Sequence, residues 1–168
     1  MRKSRPGFSL IELTIILALV SLIACLTLPL LTFFNRFALL AQAEKIVSMV
    51  TYVQHKAIIE HETHTLTLDT AHARYMDDKF TEILNPPIQF GIKPNTYGPP
   101  SKPTTLLTRP STFANDQILF YPNGTISSGT VYLTDTSKAF MYAISIGVAQ
   151  MPYVRLYRHA GNTWMPIR

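Results

Sequence analysis

The chain has 168 residues, 15 Lys+Arg against 10 Asp+Glu, and one Cys, with a mean hydropathy of +0.14. That length suits one domain plus an appendage, and a lone Cys25 excludes an intramolecular disulfide or a cysteine metal cluster. Apolar residues make up 47%, but Leu13 to Phe34 is a run of 22 residues without a charge, which excludes a wholly soluble chain as the default reading.

At the N-terminus, Phe8 to Leu31 supplies the roughly 20 apolar helical residues that a hydrocarbon core about 30 Å thick requires. Arg2, Lys3 and Arg5 precede it, so the excess-positive rule puts the first residues in the cytoplasm and everything after Phe34 across the membrane. Without those three, twelve basic side chains face ten acidic ones, so the remainder is only weakly basic. A secretory signal peptide would end in a small-residue cleavage site after a shorter core. Here the apolar run continues to Phe33-Phe34 with no Ala-x-Ala pattern. Leu22-Ile23-Ala24-Cys25 has the look of a lipoprotein signal, but apolar residues continue past it and Glu12 precedes it. An unpaired carboxylate costs about 2.5–3.5 kcal/mol at the centre of a membrane helix and less near an end. Glu12 therefore either reaches the interface or has a partner.

The segment Arg5-Pro6-Gly7-Phe8-Ser9-Leu10-Ile11-Glu12-Leu13 resembles the class III signal of type IV pilins and type II secretion pseudopilins. That pattern is a short basic leader ending in Gly, a hydrophobic residue, usually Phe, and a helix with Glu at its fifth position. The resemblance implies that a prepilin peptidase cuts between Gly7 and Phe8, leaves the helix in place and N-methylates Phe8. It also places Pro29 at mature position 22, where the family commonly bends or melts the helix; a proline there removes a backbone hydrogen bond and crowds the carbonyl four residues back. The implied role of Glu12 is assembly: the new α-amino group of one subunit pairs with the carboxylate of a neighbour, and two buried charges are tolerable together where each alone is costly.

From Asn35 onward the chain turns amphipathic, with Phe37, Leu40, Val47, Val50, Val53 and Ala57 at spacings of three, four or their sums. No breaker occurs between Pro29 and Glu62, so one helix is expected from Phe8 to about Glu60, roughly 80 Å long. Beyond it, His55, Glu60, His61, Glu62 and His64 superficially suggest a metal cluster, but His61-Glu62-Thr63-His64 lacks the zinc-protease order. The segment reads as a solvated helix end, with no metal and no cofactor expected.

Thr65 to Asp69 alternates in period two, and Ala73 to Met76 can pair back on it across Thr70-Ala71-His72. Ile88 to Ile92 is a further short strand. Residues Pro86 to Pro110 hold seven of the twelve prolines and otherwise read as a long loop, a mobile segment being favoured over a partner-binding one. Gln117 to Tyr121 runs into the turn Pro122-Asn123-Gly124, where Asn-Gly tolerates positive φ. Thr130 to Leu133, Phe140 to Ile146 and Tyr153 to Tyr157 complete a set of strands joined by tight turns, which implies antiparallel sheet. Asp77-Asp78 reads as a hairpin or loop end.

Phe120-Tyr121-Pro122-Asn123-Gly124, the following Gly129-Thr130-Val131-Tyr132-Leu133, a strand over Tyr142 to Ile146 and a last strand with arginines together resemble the H-type minor pseudopilins (GspH/FimT family). Gln150-Met151-Pro152-Tyr153 stands where that family usually has a Gly before its last Arg pair. The implied fold class is α+β and pilin-like: a long N-terminal transmembrane and amphipathic α-helix packed on antiparallel β-sheets. The implied organisation is a cleaved basic leader (1–7), the transmembrane half of the helix with its assembly segment (8–34), the amphipathic half (35–62), and an antiparallel β domain (63–168) with the Pro-rich loop 86–110.

The resemblance implies a minor pilin-like subunit of a periplasmic filament in type II protein secretion, single-pass in the bacterial inner membrane with its C-terminal domain periplasmic. Its partners would be other pilin or pseudopilin subunits, the prepilin peptidase and the inner-membrane assembly platform. The alternative is a FimT-like minor pilin of a type IV pilus that binds DNA during uptake. Arg155, Arg158, His159 and Arg168 lie in an acid-free tail from Met151, and phosphate contacts need clustered basic residues. No phosphate loop, nucleophile motif or zinc motif is present, so no catalytic residue is expected.

Overall fold

The computed structural model describes residues 9–99, 101–147 and 153–167, the side chains of 26–33 excepted. A helix, α1 (Leu10–Glu60), is followed by nine strands. They are β1 (His64–Asp69), β2 (Arg74–Asp77), β3 (Phe80–Ile83), β4 (Ile88–Phe90), β5 (Gln117–Phe120), β6 (Gly129–Asp135), β7 (Met141–Gly147), β8 (Tyr153–Ala160) and β9 (Thr163–Pro166), with a 3₁₀ turn (Ala114–Asp116) before β5. A four-stranded sheet has the order β3-β2-β1-β5 and a five-stranded sheet the order β4-β6-β7-β8-β9. Every pairing is antiparallel. The fold class is therefore α+β, with a long helix and two antiparallel sheets, and it is compatible with a pilin-like fold.

The chain divides within α1 into two compact units, Met1–Asn35 and Arg36–Arg168. In the first, Ser9 caps the helix start: its carbonyl accepts from the amides of Glu12 (3.1 Å) and Leu13 (3.2 Å). Leu10, Ile11, Leu13, Ile16, Leu19, Val20 and Ile23 are all exposed, so this stretch is apolar on every side rather than along one stripe. The hydroxyls of Thr14 and Ser21 donate back to the carbonyls of Ile11 (2.8 Å) and Leu17 (2.7 Å). That satisfies them without a partner outside the helix. Among the described residues, no helix is long and apolar enough to cross a membrane. The charge-free side chains described here run from Leu13 to Cys25, about 20 Å of helix against a hydrocarbon core about 30 Å thick.

In the second unit the helix buries Leu39, Ala43, Ile46, Val50, Val53 and Ala57 completely. The steps of four and three are one face of a 3.6-residue period. This corrects the stripe expected from the sequence: Val50, Val53 and Ala57 belong to it, Leu40 and Val47 are only partly buried, and Phe37 is 56% exposed. The buried face packs in one core with Leu66, Leu68 and Tyr75, Ile118 and Phe120, and with the inward residues of the second sheet, Val131, Leu133, Tyr142, Ile144, Ile146 and Leu156. Gly129 opens β6 because the Phe113 ring lies against it; a Cβ there would come within 2.5 Å of that ring.

Two further expectations are corrected. The Asn123-Gly124 turn closes only a short antiparallel bridge, Phe120 with Ile126, in which the Tyr121 amide donates to the Thr125 carbonyl at 2.9 Å. It does not join β5 to β6 in one sheet, because β5 pairs with β1 while β6 pairs with β4 and β7. The chain crosses from one sheet to the other there, and the turn is held on the helix by Gln54 Nε2 donating to the Gly124 carbonyl at 2.7 Å. The Pro-rich loop, expected to be mobile, is anchored on the domain at several points, although its residues 101–106 are exposed. The Leu107 amide donates to Thr96, the Tyr132 amide to Pro110, and the Trp164 indole to the Tyr97 carbonyl at 2.8 Å. Leu107 and Ile92 thereby join Tyr132, Ala143, Tyr157 and Trp164 in a second small core on the outer face of the five-stranded sheet.

Candidate functional site

Of the processing and assembly residues, Gly7 and Phe8 lie outside the described residues. Glu12 sits in the first turn of α1, exposed, where the unpaired amides of a helix start favour a carboxylate. Ser9 and Glu12 have the Ser-x-x-Glu spacing of a capping box, a signal that marks the helix start in the sequence itself. Pro29 falls inside α1. The helix thus runs through a residue that lacks the amide its ladder requires at that step.

The C-terminal arginines are not brought together. Arg155 and Arg158 are three residues apart on β8, and alternation puts them on opposite faces of the sheet. Arg155 is exposed, its guanidinium 4.4 Å from the centre of the Tyr153 ring, and a hydrogen bond with Tyr157 further favours its charged form. Arg158 shares the side of Leu156, which is in the main core, and reaches Met165 Sδ at 3.9 Å. His159 lies edge-on to Trp164 at 4.9 Å, and burial, aided by Lys93, shifts its titration below the ordinary histidine value. Arg168 is outside the described residues.

The described residues do bring together one polar cluster, where the helix ends over the first hairpin. His64 opens β1 and is buried, 6% exposed, on the same face as Leu66 and Leu68. It is not part of a solvated helix end. Asp77 closes β2 on the face of buried Tyr75 and is itself buried. Above them Lys56, also buried, donates from Nζ to Asp77 Oδ2 at 2.9 Å. Burial pulls the Lys56 ammonium down, but the Asp77 carboxylate, with Glu60 behind it, more than offsets this and raises it above the ordinary lysine value. His64 Nε2 stands 2.8 Å from Glu60 Oε2, yet neither ring nitrogen makes a hydrogen bond.

Sequence reasoning separated His64 from Asp77-Asp78, although the signal that joins them was present. The hairpin pairs Asp69 with Arg74, Leu68 with Tyr75 and Thr67 with Met76. Extending that register by one residue sets Asp77 opposite Leu66, on the buried face and diagonal to His64, and by two sets Asp78 opposite Thr65, the neighbour of His64. Comparison with known proteins adds no relative, since the chain matches no family model, no curated protein and no solved structure.

Proposed function

We propose that the chain is a minor pilin-like, H-type pseudopilin subunit of a periplasmic filament in type II protein secretion, inserted in the inner membrane and processed by a prepilin peptidase. The observation that carries this reading is the segment from Arg5 to Leu13, in which a basic leader, Gly7, Phe8 and Glu12 stand at the spacing that processing and assembly require. In support, the helix that follows is apolar on all sides, and its Thr14 and Ser21 hydroxyls are satisfied within the helix, as a lipid environment demands. The membrane span in this reading is the charge-free stretch Leu13–Phe34. The chain acts as a substrate of the peptidase and a building block, not as a catalyst. The type IV pilus alternative, with DNA held on the C-terminal arginines, gains no support from Arg155 and Arg158 on opposite faces of β8.

The test is the intact mass of the protein recovered from membranes of cells with and without the matching prepilin peptidase. The expected product begins at Phe8, carries one added methyl group, and disappears when Gly7 is replaced by a bulky residue. A chain that still begins at Met1 beside an active peptidase overturns the proposal.

A further inference from the structure

We infer that the cluster beneath the end of the long helix is a binding site for one divalent cation of the zinc type, with His64, Asp77 and Asp78 as its protein ligands. One donor atom from each lies within 4.8 Å of the other two. Tetrahedral coordination at about 2.1 Å sets donors about 3.4 Å apart, a closure that the exposed Asp78 can supply by side-chain rotation.

Proximity of carboxylates alone would carry little weight. The further observation is that two of the three ligands are buried with a ligand atom left over: Nδ1 of His64 and Oδ1 of Asp77 have no hydrogen-bond partner among the described residues, while His64 Nε2 faces Glu60 Oε2 at 2.8 Å. Leaving such groups buried and unpaired is costly, whereas a cation takes up both at once. Asp77 is already divided for that task, since Lys56 occupies only Oδ2.

Charge points the same way. Glu60, Glu62, Asp77 and Asp78 surround His64. Lys56 pairs with Asp77, and Lys79 approaches Glu60 at 3.9 Å. Four carboxylates against two lysines leave two negative charges, the complement of a divalent ion. An imidazole with carboxylates is a donor set that suits zinc and related ions, while calcium takes oxygen ligands. Glu60 and Glu62 form a second group with His64, and Glu60, 2.8 Å from Nε2, is placed to orient the ring. The site would pin the helix end to the first hairpin, independently of whether the chain enters a filament.

The experiment is a zinc titration of the full chain, purified in detergent without a polyhistidine tag, read by calorimetry, bound-metal analysis and thermal unfolding. We expect one zinc per chain and a rise in Tm of about 5–10 °C at a hundredfold excess over Kd. Calcium should have no such effect. Asp78→Asn, an exposed substitution, should weaken zinc binding at least tenfold, and His64→Gln should abolish it. Should His64→Gln fail to fold, Asp78→Asn decides the matter. Absence of zinc uptake, uptake unchanged in Asp78→Asn, or an equal response to calcium overturns the assignment.

Discussion

Asp69 shows how a single side chain sets the acid stability of the first hairpin. It ends β1, and its carboxylate accepts from Arg74 Nε at 2.8 Å and from the His72 amide at 3.1 Å. The Arg74 bond in the first place, and the His72 contacts after it, pull its pKa from 3.8 to about 2. The unfolded chain therefore takes up the proton first as pH falls. The stabilisation is complete above about pH 4 and is lost as the pH drops through 2. In thermal unfolding from pH 5 down to 2, wild type should exceed Asp69→Asn by a margin that is steady above pH 4 and narrows below it. A margin still undiminished at pH 2 would show that the carboxylate charge is not what Arg74 and His72 recognise.

At the scale of elements, the phase of the helix is the feature that mutation resolves best. Ile46 is fully buried and Ile59 is 76% exposed on the same helix. Ile46→Ala should cost about 2–5 kcal/mol in chemical denaturation, because it removes buried methylenes and leaves a cavity. Ile59→Ala should stay within about 0.5 kcal/mol. Equal effects would mean that the buried face lies elsewhere. The sequence made the helical period legible, and its phase from Val50 to Ala57, but not the phase before it, since Phe37, Leu40 and Val47 compete with Leu39, Ala43 and Ile46 for the stripe. Strands with one buried face, such as β1 and β2, were readable from alternation. The edge strands β3 and β9 escaped notice because neither has a buried residue to mark its inward side. The Asn123-Gly124 turn was legible as a turn, while its role as a crossing between sheets depends on β1 and α1, which are remote in sequence. The candidate cation site was missed for a related reason: its ligands come from β1, the end of β2 and the turn after it, and only the hairpin register unites them.

For the whole molecule, the division into two units separates folding from assembly. The main core of the second unit draws on no described residue before Leu39, so nothing in its packing depends on Glu12. A substitution at Glu12 can thus be read for assembly without confounding by the fold. In the proposed filament, Glu12 pairs with the α-amino group that cleavage creates on Phe8 of a neighbouring subunit. Glu12→Val removes one partner and leaves the other charge uncompensated in an apolar setting, a loss of several kcal/mol where burial is deep. We expect Glu12→Val to be cleaved and inserted as wild type is, with an unchanged melting profile, while its recovery in sheared filaments falls at least tenfold. Glu12→Asp retains the charge but shortens its reach by one methylene, so it should fall between the two. Wild-type recovery of Glu12→Val in the filament fraction would reduce Glu12 to its local role, an acid at a helix start that Ser9 already caps.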